Sequence, residues 1–181
     1  MTTESTFVAL LRGINVGGKH RLPMEELREI FEQAGCEQVR TYIQSGNVVF
    51  RAEAAAIPVL GPQVESAIGN RYGFESPVIF RSAAELEDIV ERNPFTAETD
   101  EESLHVMFLR STPNAGAVSA LDPDEFAPDH FVVSGREIFL RCPNGVARSK
   151  LTSRYFDSRL ETTSTARNWR TVRTLLEMSR G

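Results

Sequence analysis

Two cysteines, three histidines and one tryptophan in 181 residues leave little material for several kinds of chemistry. Cys36 and Cys142 form no CxxC pair, so neither a disulfide framework nor a cysteine metal site is expected, and both read as reduced, buried thiols. His20, His105 and His130 lie far apart, with no H-x3-H or His/Cys/Asp spacing, so no metal centre is expected. No G-x-S-x-G elbow is present, and nothing in the sequence asks for a cofactor. No run approaches the roughly 18 apolar residues of a membrane span. The opening Met-Thr-Thr-Glu-Ser-Thr lacks the basic and apolar regions of a leader. These absences predict a cytoplasmic protein without a membrane partner.

What is present suffices for a folded core: 41% of residues are hydrophobic and 25% charged, enough for one domain or two small fused halves. Net charge is −5 but unevenly spread. Residues 148–181 carry eight Arg or Lys against three acids, whereas eight acids meet one arginine between Glu85 and Glu102. Such asymmetry fits an anionic partner for the tail or, with more weight, attraction between parts of one chain.

Hydrophobic spacing outlines the elements. Phe7–Leu11 reads as a buried strand followed by a glycine-containing loop to residue 20. Leu27, Ile30, Phe31 and Ala34 recur at helical spacing between Pro23 and Gly35. Val39–Gln44 and Asn47–Arg51 read as a hairpin about a two-residue Ser45-Gly46 turn. Pro62 can open a second helix capped by Gly73, with Val64, Ala67 and Ile68 inward. Pro77–Arg81 is a strand, and Ser82-x-x-Glu85 a capping box for a helix stopped by Asn93-Pro94.

The order then repeats. Leu104–Leu109 is a strand, Asn114–Leu121 a short helix, and His130–Val133 with Glu137–Arg141 a hairpin about Ser134-Gly135. A helix over Ser149–Phe156, a Thr-rich edge strand at 162–165 and a helix over 167–178 complete it. Tyr42–Phe50 and Phe131–Phe139 match at a constant offset of 89 in the aromatic, Ser-Gly and Phe positions. The reading is an α+β fold of duplicated ferredoxin-like βαββαβ units, antiparallel sheets with helices packed on one face. The predicted subdomains are 5–95 and 103–181, fused as one compact unit.

Several motifs carry polar chemistry. Gly13-Ile-Asn-Val-Gly-Gly-Lys-His20 fits G-x4-G-K, but His20 stands where a phosphate loop needs Ser or Thr, and Arg21-Leu22-Pro23 separates the lysine from the helix. What survives is an anion nest of glycine-freed N–H groups with Arg12 and Lys19, set against a loop that needs glycines only to turn. Arg40, Tyr42 and Gln44 alternate onto one hairpin face, a weak single-stranded RNA signal without the RNA-recognition strand signature. On a helical wheel Trp169, Val172, Leu175 and Leu176 form a buried stripe that takes in Asn168, while Arg167, Arg170 and Arg173 form a basic stripe opposite. An inward Asn168 either ties a neighbouring loop or belongs to a polar site. In Gly145-Val-Ala-Arg-Ser-Lys150, Ser149 can cap a helix and Lys150 reach outward.

Leu10-Leu-Arg-Gly-Ile-Asn-Val-Gly-Gly-Lys19, Thr41-Tyr-Ile-Gln-Ser-Gly-Asn-Val48, Asn93-Pro-Phe95, Arg148-Ser-Lys-Leu151 and Thr165-Ala-Arg-Asn-Trp-Arg-Thr171 together resemble the DUF1697 family, a bacterial domain of unknown function. The resemblance runs from about residue 6 to the end and implies a duplicated ferredoxin-like architecture, with no activity to carry over. Apart from it, the polar residues suggest a binding site for an anionic ligand, a phosphorylated metabolite or nucleic acid. The expected site joins Arg12, Asn15, Lys19, Gln44 and Asn47 to Lys150, Arg167 and Asn168. A phosphate-handling transferase or hydrolase on the same residues, and a protein-interaction or self-association module, stay open. Substrate, oligomeric state and any catalytic residue are not legible.

Overall fold

A computed structural model describes residues 3–97 and 100–181. Met1 and Thr2 of the opening segment, and Glu98 and Thr99 of the acidic stretch, lie outside the described residues. The described residues form eight strands in two four-stranded sheets. The first holds β1 (Glu4–Leu11), β2 (Glu37–Tyr42), β3 (Asn47–Glu53) and β4 (Val78–Ser82) in the order β2-β3-β1-β4. The second holds β5 (Leu104–Leu109), β6 (His130–Ser134), β7 (Glu137–Arg141) and β8 (Ser164–Asn168) in the order β6-β7-β5-β8. Every pairing is antiparallel. Helices α1 (Met24–Gln33), α2 (Ile57–Tyr72) and α3 (Ala83–Glu91) accompany the first four strands. Helices α4 (Ala115–Ser119), α5 (Ser153–Leu160) and α6 (Trp169–Arg180) accompany the last four. Each half is a ferredoxin-like βαββαβ unit with one helix added, and the halves share no sheet. Two compact units result, one of Met1–Glu87 with Leu175–Gly181, the other of Asp88–Thr174.

Local chemistry explains most elements. Glu25 and Glu26 fill the first turn of α1, Leu27, Ile30 and Phe31 are buried, and Gly35 follows at φ 92°. Ser82 and Glu85 form the predicted capping box reciprocally: Glu85 N–H donates to Ser82 Oγ at 3.1 Å and Ser82 N–H to Glu85 Oε2 at 2.7 Å. In the first unit Phe7, Ala9, Leu11, Val48 and Phe50 pack against Leu27, Ile30 and Phe31 of α1 and Leu60, Val64 and Ile68 of α2. In the second, Met107, Leu109, Ile138 and Leu140 pack with Phe131, Phe156 and Leu160.

Other expectations need correction. Helix α2 starts at Ile57, five residues before Pro62, because a 3₁₀ turn at Ala54–Ala56 leads in and Pro58 takes the first-turn place where a missing N–H costs nothing. The first hairpin closes through four residues, since Tyr42 pairs with Asn47, so Gln44 is a loop residue rather than a strand neighbour of Tyr42. The second turn is Gly135-Arg136, with Ser134 already paired to Glu137. Helix α5 begins at Ser153 rather than Ser149, capped by Thr152 Oγ1, which accepts from Tyr155 N–H at 3.2 Å. Strand β8 runs through Asn168, so α6 starts two residues later than the predicted helix.

The ladders also correct the repeat. Phe7 pairs with Phe50 and His105 with Leu140, while Leu11 N–H donates to Gly46 O and Leu109 N–H to Arg136 O, both at 2.8 Å. Leu11 and Leu109 are therefore counterparts, as are Phe50 and Leu140. The offset of 89 matched Phe50 to Phe139, one residue out of register and hence on the opposite face. The same ladders make Arg81, opposite Val8, the counterpart of Arg167, opposite Val106.

Part of the charge asymmetry is satisfied within the chain. Arg173 donates to Glu101 at 2.8 Å and Arg180 to Glu87 at 2.5 Å, joining the basic tail to the acidic stretch. Arg92, the one arginine of that stretch, holds Asp88 at 2.6 Å, Ser134 Oγ at 2.8 Å and the buried Glu137.

Candidate functional site

The first loop is a small hairpin. Asn15 N–H donates to His20 O and Lys19 N–H to Val16 O, each at 3.0 Å. Gly17 and Gly18 make the turn at φ 58° and 72°, a primed turn that suits glycine. Asn15, itself at φ 52°, spends its amide on backbone: Oδ1 accepts from Leu22 N–H at 2.8 Å, and Nδ2 donates to Leu22 O and to Gln44 O, both at 2.9 Å. His20 Nδ1 lies 2.9 Å from Gly13 O, and its ring stacks on Phe74 at 4.5 Å. The loop turns by ordered hydrogen bonds, and Val16 is left 65% exposed.

The neighbouring tip, residues 43–46, is held by three carbonyls. Tyr42 O accepts from Asn47 Nδ2 at 3.1 Å, Gln44 O from Asn15, and Gly46 O from Leu11 N–H. Asn47 is fully buried and also reaches Ser45 Oγ at 2.9 Å. This clamp keeps Ile43, a β-branched residue, at φ 48° with its side chain 51% exposed, an arrangement that stores strain. Arg12 meets strand β4's approach through its backbone: its N–H donates to Pro77 O at 3.0 Å and its carbonyl accepts from Ser76 Oγ at 2.8 Å. Thus Asn15, Gln44 and Asn47 come together as a loop tie. The exposed side chains of Lys19 and Gln44 have no hydrogen-bond or ion-pair partner among the described residues.

Arg167 and Asn168 sit in β8, which overturns their placement on the last helix. Arg167 is 7% exposed, with Nη1 donating to Thr165 Oγ1 and to Ala166 O at 2.8 Å. Burial pushes its guanidinium down to about 10. It is no part of a solvated basic stripe, although Arg170 and Arg173 are exposed as expected. Asn168 is exposed rather than inward and caps α6, its Oδ1 accepting from Thr171 N–H at 2.8 Å. Trp169, Val172, Leu175 and Leu176 are buried as the wheel predicts.

Lys150 lies elsewhere in the second unit, on a cleft of about 460 Å³ lined by Glu125, Phe126, Asp129, Asn144, Arg148 and Lys150. Neither Arg167 nor Asn168 lines it. Gly145, Arg148 and Lys150 reach it from the segment of the Arg-Ser-Lys motif, in which Ser149 Oγ accepts from Leu151 N–H at 3.1 Å. Lys150 Nζ stands 5.7 Å from the centre of the Phe126 ring, a cation–π distance. No carboxylate pairs with Arg148 or Lys150 among the described residues. Cys142 is fully buried; burial raises its thiol pKa, a hydrogen bond from Ser149 opposes this, and the charge of Asp129 adds to it. The sequence flagged the Arg-Ser-Lys turn but not Phe126 or Asp129, because only the fold brings that loop against it. Among the described residues no three His, Cys, Asp or Glu side chains could hold a metal ion, and no helix is long and apolar enough to cross a membrane.

Comparison with known proteins gives a family and a fold. The chain resembles a solved structure described as a conserved bacterial protein from Streptococcus pneumoniae, with 24% identity, 98% of this chain and 99% of that one covered, and a TM-score of 0.74. No curated protein matches significantly. The profile of "Protein of unknown function (DUF1697)" matches residues 4–139, which takes in the first loop, the hairpin tip and Asn93-Pro-Phe95. By that match the chain belongs to the DUF1697 family.

Proposed function

We propose that this is a cytoplasmic binding protein for an anionic small molecule, and that the cleft of the second unit receives the anionic group. The observation that supports this reading is the pair of cations without a carboxylate partner, Arg148 and Lys150, in the lining of a concave site of metabolite size. A guanidinium offers a planar fork to a phosphate or carboxylate, an ammonium adds a mobile point charge, and Asn144 adds amide donors. Lys19 and Gln44 of the first unit stay within the proposal as exposed groups able to meet an anion. Asn15, Asn47 and Asn168 contribute to it only by shaping backbone. The buried, unpaired Cys36 and Cys142 support the cytoplasmic assignment.

Titration calorimetry with a panel of phosphate esters and short carboxylates tests the reading. The Arg148→Ala/Lys150→Ala protein should lose binding while its melting temperature stays close to that of the parent. Retained binding in the double variant would sink the idea, and loss in Lys19→Ala alone would move the site to the first loop. A second reading, a protein-interaction module, is favoured by the exposed Val16 and Ile43 on adjoining turns. Sedimentation of the parent beside Val16→Ser/Ile43→Ser tests it, because a change in mass with the variant is required.

A further inference from the structure

We propose that the ligand of this cleft is amphoteric, a small molecule carrying an ammonium group as well as the anionic group, with Asp129 as the ammonium's partner. The inference rests on the binding reading above and goes further by fixing the second charge. The acids around the cleft are nearly all engaged. Asp122 Oδ1 accepts from Asp124 N–H at 3.0 Å, Asp124 Oδ1 lies 2.7 Å from His130 Nδ1, and Glu125 Oε2 accepts from Tyr155 Oη at 2.9 Å. Asp129 differs: it is half-buried, it lines the cleft, and no hydrogen bond or ion pair reaches its carboxylate among the described residues.

Opposite charges on one small cleft attract each other and ordinarily close into a pair where their side chains can reach. Here Arg148, Lys150 and Asp129 line the same cleft and none of them pairs with another. The segment that contains the 3₁₀ turn Val146–Arg148 brings the cations to the cleft, and the segment from Phe126 to Asp129 brings the carboxylate. Charges of both signs on one small cleft, with the Phe126 ring in the same lining, match a small molecule that carries both charges. A simple anion would meet repulsion from Asp129, whereas an ammonium group would give that carboxylate the partner it lacks.

The test compares O-phosphoethanolamine with ethyl phosphate, which differ by one ammonium group, by calorimetry on the full-length protein and on Asp129→Asn. The parent should bind O-phosphoethanolamine about five- to tenfold more tightly than ethyl phosphate. Asp129→Asn should erase that preference, leaving ethyl phosphate bound as well as before or better. Equal affinities in the parent, or a preference that persists in Asp129→Asn, would overturn the amphoteric ligand while leaving anion binding standing. If neither compound binds, both readings fall. Unchanged near-ultraviolet circular dichroism of Asp129→Asn shows that the comparison is between folded proteins.

Discussion

At the scale of single residues, the first loop and hairpin tip show how a polar motif can serve backbone geometry. Gly46 stands at φ 83°, and a Cβ there would lie 2.7 Å from Leu11 Cβ. Gly46→Ala therefore combines a left-handed backbone with an overlap against a buried strand and should lower stability by roughly 2–4 kcal/mol in urea unfolding. Asn15→Ala removes three hydrogen bonds to Leu22 and Gln44 and should cost about 1–3 kcal/mol. By contrast Lys19→Ala, an exposed side chain on the same loop, should move the midpoint by no more than about 0.5 kcal/mol. If Asn15→Ala proved as silent as Lys19→Ala, the amide would not be what ties loop to tip. Asn15 and Lys19 look alike as polar residues of one glycine-containing motif. The difference lies in partners 7 and 29 positions away in sequence.

At the scale of elements, the two caps carry the clearest local signals. Ser82 precedes α3 with Glu85 three residues on, and Asn168 precedes α6. Alanine at either position should cost about 0.5–2 kcal/mol in thermal or urea unfolding, and Asn168→Asp should cost far less than Asn168→Ala because a carboxylate oxygen accepts the same Thr171 N–H. At Ser82 the cap is legible in the sequence, and the helix start with it. At Asn168 it is not: the wheel takes Asn168 into the helix and so assigns Arg167 to a solvated stripe, although Arg167 is a buried strand residue. The missing information was the ladder in which His105 pairs with Asn168 and Val106 with Arg167, more than 60 residues apart in sequence. The hairpin turns failed for a related reason. Ser45-Gly46 and Ser134-Gly135 share a dipeptide, but four residues close one turn and two the other, a difference set by strand register. The cleft was legible in part only, since Arg148-Ser-Lys150 is a local motif whereas Phe126 and Asp129 reach it through the fold.

At the scale of the molecule, duplication turns one half into a reference for the other. Strand β5 places His105 where β1 places Phe7, each on the helix-facing side of its sheet opposite an apolar partner. The substitution of an imidazole for a phenyl ring at this position has an electrostatic consequence. Burial holds the His105 pKa below its ordinary value, against a smaller opposing hydrogen bond with the Ser103 backbone. Between that lowered value and the unfolded value near 6.5, the unfolded chain binds a proton that the folded chain resists. The stability linked to a neutral His105 is thus present above about pH 6.5 and is lost as pH falls through this window. His105→Phe restores the residue of the first repeat and removes the titration. Its melting temperature relative to the parent should rise steadily as solutions are taken from about pH 7 to about pH 5. The two proteins share every other residue, so the difference between the two melting curves isolates position 105. Parallel curves across that range would mean that the folded protein accepts a proton at His105 as readily as the unfolded chain does.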